Sequence, residues 1–435
     1  MIKRRKKNLR ERTQRYFRRI KITIPHMSLD HWIIVGLIIS LPGAKFITSL
    51  LNFLGLISNA KGVAEGIIAT LICGAAIFAL VHPKRRAAMA EHPAFFVTLV
   101  LLPLMLIPAI LSGNNTGLLY GGVMWMILVI SIYASSVMNR RFFASILDLM
   151  LLLSVIASVW GVLDYFINQP KVWGEVRTSS IFDNANYYGY AIELFSIIAL
   201  CRFVRRTKVI YLIVLAINLS SILLCGCRAA WVSVFVSAIT LVIFKLRGKR
   251  LWLGITVAAL LSALMLIIVL PEISQRFTGE AIYGAFSRRI AMFRDAIHWI
   301  KSSPIIGYGT GSYHMLSIRD GVMHSRQYLQ HAHNLFLNIT LDFGFVGFAA
   351  FILYVWQIIT PVFTKGFIHR YSYISAILLT ALVATAVHGM IDVPIYGVST
   401  GLLIALISSG SAILRNETAW AQKRAVEKED NVVEI

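Results

Sequence analysis

Residues 93–112 read PAFFVTLVLLPLMLIPAILS, twenty positions without one charged side chain. At about 1.5 Å of rise per residue, such a run makes a helix about 30 Å long, which matches the hydrocarbon core of a bilayer. Runs of the same kind recur on either side. They predict twelve helices, at 32–54, 64–82, 93–112, 117–138, 143–167, 185–204, 209–225, 229–245, 251–270, 334–363, 371–391 and 397–414. The whole 435-residue chain is 57% hydrophobic and 14% charged, with a mean hydropathy of +0.73. Soluble domains lie nearer about 45–50% apolar and about 25% charged. The expected fold class is therefore an all-α polytopic membrane protein.

Charge supplies the orientation. The chain carries a net +22, which in a soluble protein would suggest nucleic acid. Here no folded soluble domain exists to shape such a site, so no nucleic-acid partner is expected. Basic clusters punctuate the helices at Lys84-Arg85-Arg86, Arg140-Arg141, Arg202 to Lys208, Lys245 to Arg250 and Lys365 to Arg370. Putting these and both termini in the cytoplasm satisfies the positive-inside rule at every connection. The tail at 1–31, rich in Lys and Arg, then lies on anionic membrane lipids. No small-residue cleavage site follows it, so the first run reads as a retained helix rather than a signal peptide. The expected divisions are the basic tail 1–31, helices one to nine over 32–270, an extracytoplasmic loop over 271–333, helices ten to twelve over 334–414, and a cytoplasmic tail over 415–435.

Three polar patches fall on the outer side of this topology: 168–184, the turn at Cys225 to Arg228, and the long loop 271–333. Within that loop Ile290, Phe293, Ile297 and Ile300 recur at helical spacing, which predicts an amphipathic helix over about 285–302 lying as a lid over the bundle or its interface. No internal repeat is evident, which weighs against an inverted-repeat transporter. The cysteines Cys73, Cys201, Cys225 and Cys227 lie in or beside apolar runs and read as packing residues; a Cys225–Cys227 bridge would be strained.

The outer patches hold the residues able to do chemistry. His333, in His331-Ala332-His333-Asn334, has the pKa range of a general base for an acceptor hydroxyl. His331-x-His333 is a spacing found in some metal sites, but no cysteine or carboxylate lies near it in sequence, so no metal is expected. Arg228 sits where basic residues are depleted, and its planar fork suits phosphate oxygens. Arg288 and Arg289 open the amphipathic segment, and either Arg288 or Arg294 is placed to pair with Asp295. Arg177 is a further outer arginine. Asn186 can bind a sugar hydroxyl or cap the helix that follows. His388 and Asp392, one turn apart, form a local pair able to orient another group. Asp164, Glu193 and Asp342 are possible partners for outer arginines. The outer face has no Asp-x-Asp pair and the chain no Walker signature, which argues against carboxylate-metal glycosyl transfer and nucleotide binding.

Taken in order, these pieces resemble the O-antigen ligase and polymerase superfamily of bacterial membrane glycosyltransferases. The resemblance runs over about 177–350. It rests on Arg177 with Phe182-x-Asn184-x-Asn186-Tyr187-Tyr188-Gly189; on Cys227-Arg228-Ala229-Ala230-Trp231; on Arg289-x3-Phe293-x2-Ala296-Ile297 followed by Pro304-Ile305-Ile306-Gly307-Tyr308-Gly309; and on His333-Asn334-x2-Leu337 followed by Gly344-x2-Gly347. Cys227 and Ala229 replace the small polar and glycine residues common beside the first arginine, and Phe293 replaces a common tryptophan.

The resemblance implies an enzyme that transfers a glycan from undecaprenyl diphosphate to a hydroxyl acceptor, without metal or cofactor, on the outer side of the inner or cytoplasmic membrane. It implies catalytic roles for His333, Arg228 and Arg289, substrate binding by Arg177, Asn186, Arg288 and Asn334, and support from His388 and Asp392. The acceptor would be a lipid A core in a ligase, or another lipid-linked repeat in a polymerase of lipopolysaccharide or exopolysaccharide synthesis. A protein O-oligosaccharyltransferase is a related alternative. A non-enzymatic flippase or exporter of lipid-linked glycans is another, but it predicts charges along a transmembrane path rather than at one face.

Overall fold

A computed structural model describes residues 27–41, 61–169, 171–172, 175–182, 184–206, 208–243, 256, 279–324, 328–363 and 373–419. The helices α1 (Leu29–Ser40), α2 (Lys61–Val81), α3 (Pro83–Ala90), α4 (Ala94–Leu111), α5 (Asn115–Val137) and α6 (Arg140–Asn168) come first. A two-stranded antiparallel ribbon follows, β1 (Lys171–Val172) with β2 (Glu175–Val176). Then come α7 (Ala185–Arg206), α8 (Val209–Cys225), α9 (Arg228–Ile243), α10 (Gly279–Ser302), α11 (Ser312–Arg319), α12 (Leu335–Phe363), α13 (Tyr373–Gly389) and α14 (Val398–Ser408).

Six described helices are long and apolar enough to span a membrane: α4, α5, α6, α7, α12 and the Val398–Ala419 run that begins with α14. Counting the pair α2 and α3 as one broken span makes seven. Four shorter apolar helices, at Leu29–Ser40, Val209–Cys225, Arg228–Leu241 and Tyr373–Gly389, correspond to other expected spans but fall below that length. The expected helix at 251–270 lies outside the described residues, apart from residue 256. Among the described residues, six or seven of the twelve expected spans are long and apolar enough to cross a membrane.

One expected loop is also helical. Lys84-Arg85-Arg86 sits in α3, turned 88° from α2, with Pro83 in its first turn where a missing N–H does no harm. Arg85 pairs there with Asp30, whose carboxylate also accepts a 2.6 Å hydrogen bond from Tyr133. At the same end Arg140 pairs with Glu417, and the buried Arg202 lies 2.7 Å from Asp148 with its guanidinium over the Tyr373 ring. Part of the expected cytoplasmic charge is therefore internal bracing.

One continuous apolar core joins most of the bundle, and a second, smaller one lies under α10 and α11. The buried residues of α10 are Met292, Ala296, Trp299 and Ile300. Within the expected stripe Ile300 is buried, while Ile290 and Ile297 are each 43% exposed. The exposed side also carries Phe286, Arg294 and Lys301, a mixed apolar and basic surface.

The break in α12 fixes the position of everything above it. Gly344 has φ 63° and ψ −174°, and a Cβ there would lie 2.1 Å from the Ile305 carbonyl oxygen, so only glycine fits. The groups freed by the break are taken up by the loop packed into it. Phe345 and Val346 donate N–H bonds to Pro304 and Ile305, while Tyr308 and Gly309 donate to Leu341 and Asp342. Irregular backbone at this depth is tolerated because each of these groups has found a protein partner.

Candidate active site

Three helices begin around one cluster, and each start has a local cause. Asn184 caps α7 by accepting from Asn186 N–H at 2.7 Å, which leaves the Asn186 side chain free for other work. Gly226, in the left-handed conformation, closes α8 and lets the chain turn into α9, whose first residue is Arg228. Asn334 caps α12, accepting from Leu337 N–H at 3.0 Å and donating to the Met390 carbonyl at 3.2 Å. Helix N-termini are positive ends, so the three together favour an anion.

Asp392, from the segment after α13, is the centre of the cluster. Its Oδ1 lies 3.2 Å from His333 Nδ1 and 3.8 Å from His331 Nε2, and its Oδ2 accepts from Asn186 Nδ2 at 2.6 Å. Asn186 Oδ1 in turn accepts from Arg177 Nη2 at 2.7 Å, and Arg177 Nε donates to the Cys225 carbonyl at 3.0 Å. Burial would raise the Asp392 carboxyl pKa, but the nearby His333, with His331 and His388 adding to its effect, outweighs it and holds the group well below the usual carboxylate range. His331 goes the other way: burial pushes its pKa down to about 4, with His333 adding to the effect.

The arginines close around this centre. Arg289 Nε donates to the Ile391 carbonyl at 3.3 Å. Burial lowers its pKa; Asp392 opposes that shift, while the charges of Arg228 and Arg288 reinforce it. Arg289 lies on the face of α10 that carries Met292 and Ala296, whereas its neighbour Arg288 is exposed. Among the described residues neither Arg228 nor Arg289 has a carboxylate within ion-pair distance.

The structure thus brings His333, Asn334, Asp392, Asn186, Arg177 and Arg289 into one network, with Arg228 and Arg288 electrostatically linked to it. His388 is directed elsewhere. It shares only a backbone bond with Asp392, and its Nδ1 lies 2.8 Å from Glu193 while its Nε2 faces Cys227 Sγ at 3.8 Å. The other expected arginine partners also differ. Asp164 accepts from Thr178, Asp342 from Ser312, Asn338 and Tyr396, and Asp295 pairs with His324. Buried carboxylates here are satisfied by nearby neutral donors or histidine, which need no long side chain to be ordered. None of the four cysteines, all among the described residues, forms a disulfide.

Folding also supplies the carboxylate that the sequence lacks beside the two histidines. His331, His333 and Asp392 offer donor atoms within 4.8 Å of one another, a set able to hold a metal ion. However, His331 Nδ1 accepts the His333 N–H at 3.4 Å. In the neutral ring the proton then sits on Nε2, facing Asp392, and that nitrogen has no lone pair to offer.

Beside the cluster lies an apolar cavity of about 330 Å³, lined by Met105, Met124, Leu335, Ile339, Leu378 and Ile395 among others. Leu335 is two residues from His333 and Ile395 three from Asp392, so the cavity begins where the polar network ends.

Residues 211–352 match the family model described as O-antigen ligase. The match covers about a third of the chain and supports a likeness of that stretch to the O-antigen ligase family. Arg228, Arg289, His333 and Asn334 lie inside the matched stretch; Arg177, Asn186, His388 and Asp392 lie outside it. No curated protein matches the chain.

Proposed function

We propose that the chain transfers a glycan from undecaprenyl diphosphate to a hydroxyl acceptor, at the outer face of the bacterial inner or cytoplasmic membrane. The observation that carries this reading is a histidine held 3.2 Å from a buried carboxylate, next to Arg228 and Arg289, which have no carboxylate within ion-pair distance among the described residues.

With Asp392 facing Nδ1, the neutral His333 ring presents the Nε2 lone pair to the acceptor. His333 takes the acceptor's hydroxyl proton as the oxygen attacks the anomeric carbon. The bond from that carbon to the diphosphate oxygen breaks, and undecaprenyl diphosphate leaves with the electron pair. Arg228 and Arg289 neutralise the charge building on it. One displacement of this kind inverts the anomeric centre. Arg289 rather than Arg288 is assigned this role, because it is the one on the inward face. Arg177 and Asn186 brace Asp392 and line the donor's side, and Asn334 sets the start of α12 beneath the base. No step requires a metal or cofactor. The apolar cavity is the berth for the first isoprene units, and α10 with α11 forms the lid that limits water.

The acceptor decides between polymerase and ligase, and gene deletion tests both. Accumulation of undecaprenyl-linked single repeats identifies a polymerase. Accumulation of long lipid-linked chains with nothing on the final acceptor identifies a ligase. If no lipid-linked glycan accumulates, the proposal fails.

A further inference from the structure

Asp342, fully buried in α12, receives four hydrogen bonds from three separate stretches of chain. Ser312 N–H and Oγ–H donate to its Oδ1, at 3.1 and 2.5 Å. Asn338 Nδ2 and Tyr396 Oη–H donate to its Oδ2, at 3.0 and 2.6 Å. Four donors on two oxygens are what an acceptor-only carboxylate can take, and nothing in the transfer chemistry uses them. Two of these connections lead to the reacting pair. Asn338 Oδ1 accepts the Ala332 N–H at 3.1 Å, gripping the backbone next to His333. Tyr396 ends the short 3-10 turn that follows Asp392, tied to it through a Tyr396 N–H bond to the Val393 carbonyl. His333 itself has φ +51°, a left-handed conformation that a non-glycine residue keeps only when its surroundings fix it.

We infer that Asn338 and Asp342 are positioning residues for the transfer reaction, setting His333 and Asp392 at their working separation from opposite sides. The inference rests on the reading of His333 as the base. The third arm, through Ser312, holds the Gly309–Gly311 turn against the same carboxylate, so the lid side of the site is registered from this point too. A base and its orienting carboxylate must be held within about 0.5 Å of productive geometry, and here one buried group serves both halves.

The test is steady-state transfer by the full-length protein in lipid nanodiscs, with an undecaprenyl-diphosphate-linked glycan as donor. The variants are Asn338→Asp, Asp342→Asn, both together, and Tyr396→Phe, beside wild type and His333→Ala. Asn338→Asp sets two carboxylates against each other, and Asp342→Asn sets an amide against donors it cannot accept from. Each should lower kcat at least tenfold and leave the donor KM within about twofold. In the double variant the new carboxylate at 338 can accept from both the Ala332 N–H and the new amide at 342. It should therefore recover most of the lost kcat, as coupled neighbours do and independent ones do not. Tyr396→Phe, which removes one hydroxyl, should cost a few-fold in kcat. Wild-type kcat in the single variants, losses that multiply in the double, or losses confined to KM would each overturn the inference. Full activity in His333→Ala would instead overturn the reading of the base on which it stands.

Discussion

The two ends of the bundle both carry arginines, and they treat them differently. At the end where α1, α6 and α7 meet, Arg85, Arg140 and Arg202 each face a carboxylate: Asp30, Glu417 and Asp148. At the other end Arg177 and Arg289 donate only to carbonyl oxygens, of Cys225, Asn186 and Ile391, while the one carboxylate at the centre, Asp392, is occupied by histidines and Asn186. A cation that braces a fold is neutralised within the protein. Cations gathered without neutralisation repel one another until an anion arrives, and that repulsion favours binding of an anion.

The contrast can be broken experimentally, starting at the active end. His333→Ala and Arg228→Ala should each reduce transfer by about a thousandfold, with normal membrane insertion, measured as product formed per inserted protein. Arg289→Lys keeps the charge but loses the fork, and should cost about tenfold to a hundredfold; unchanged activity would mean that charge alone suffices there.

At the braced end the readout changes from rate to stability. Arg202→Ala empties a buried site and takes the guanidinium from Asp148, which stays half-exposed and keeps its bond from Tyr211; it should cost about 2 kcal/mol in thermal denaturation while transfer per folded molecule persists. Acidification sharpens the comparison from the site's side. The unfolded His331 ring takes up a proton near pH 6.5, whereas the folded one resists to about 4. The unfolded state therefore binds more protons in that window, so stability falls as pH drops from 6.5 towards 4; His331→Asn should flatten this slope. Arg140→Ala, at a half-exposed pair, should change stability by less than about 1 kcal/mol.

The sequence made the candidate site residues conspicuous and left their arrangement obscure. His333, Arg228 and Arg289 stand out because basic and titratable groups are conspicuous among apolar runs. Asp392 was visible too, but its pairing with His333 was not, since helical spacing pointed it at His388. Asn338 and Tyr396 carry no such signal: a lone amide or phenol within an apolar helix looks the same whether it caps, packs or positions. Which residues of α10 would be covered was not legible either, for another physical reason. In a membrane protein both the protein-facing and lipid-facing sides of a helix are apolar, so the spacing of Ile290, Phe293 and Ile297 identifies a stripe without saying what covers it. Short apolar helices such as α8 and α13 share the hydropathy of full crossings, so hydropathy alone does not set the number of spans.

The apolar cavity has a practical consequence for anyone handling the purified protein. Its walls are almost wholly apolar, so it should discriminate little between an isoprenoid and another hydrocarbon of similar girth. A solubilising detergent carries such a chain at millimolar excess and becomes a competitive inhibitor by mass action alone. Apparent donor affinity should therefore weaken as detergent concentration rises and recover in a bilayer, with no change in the protein itself.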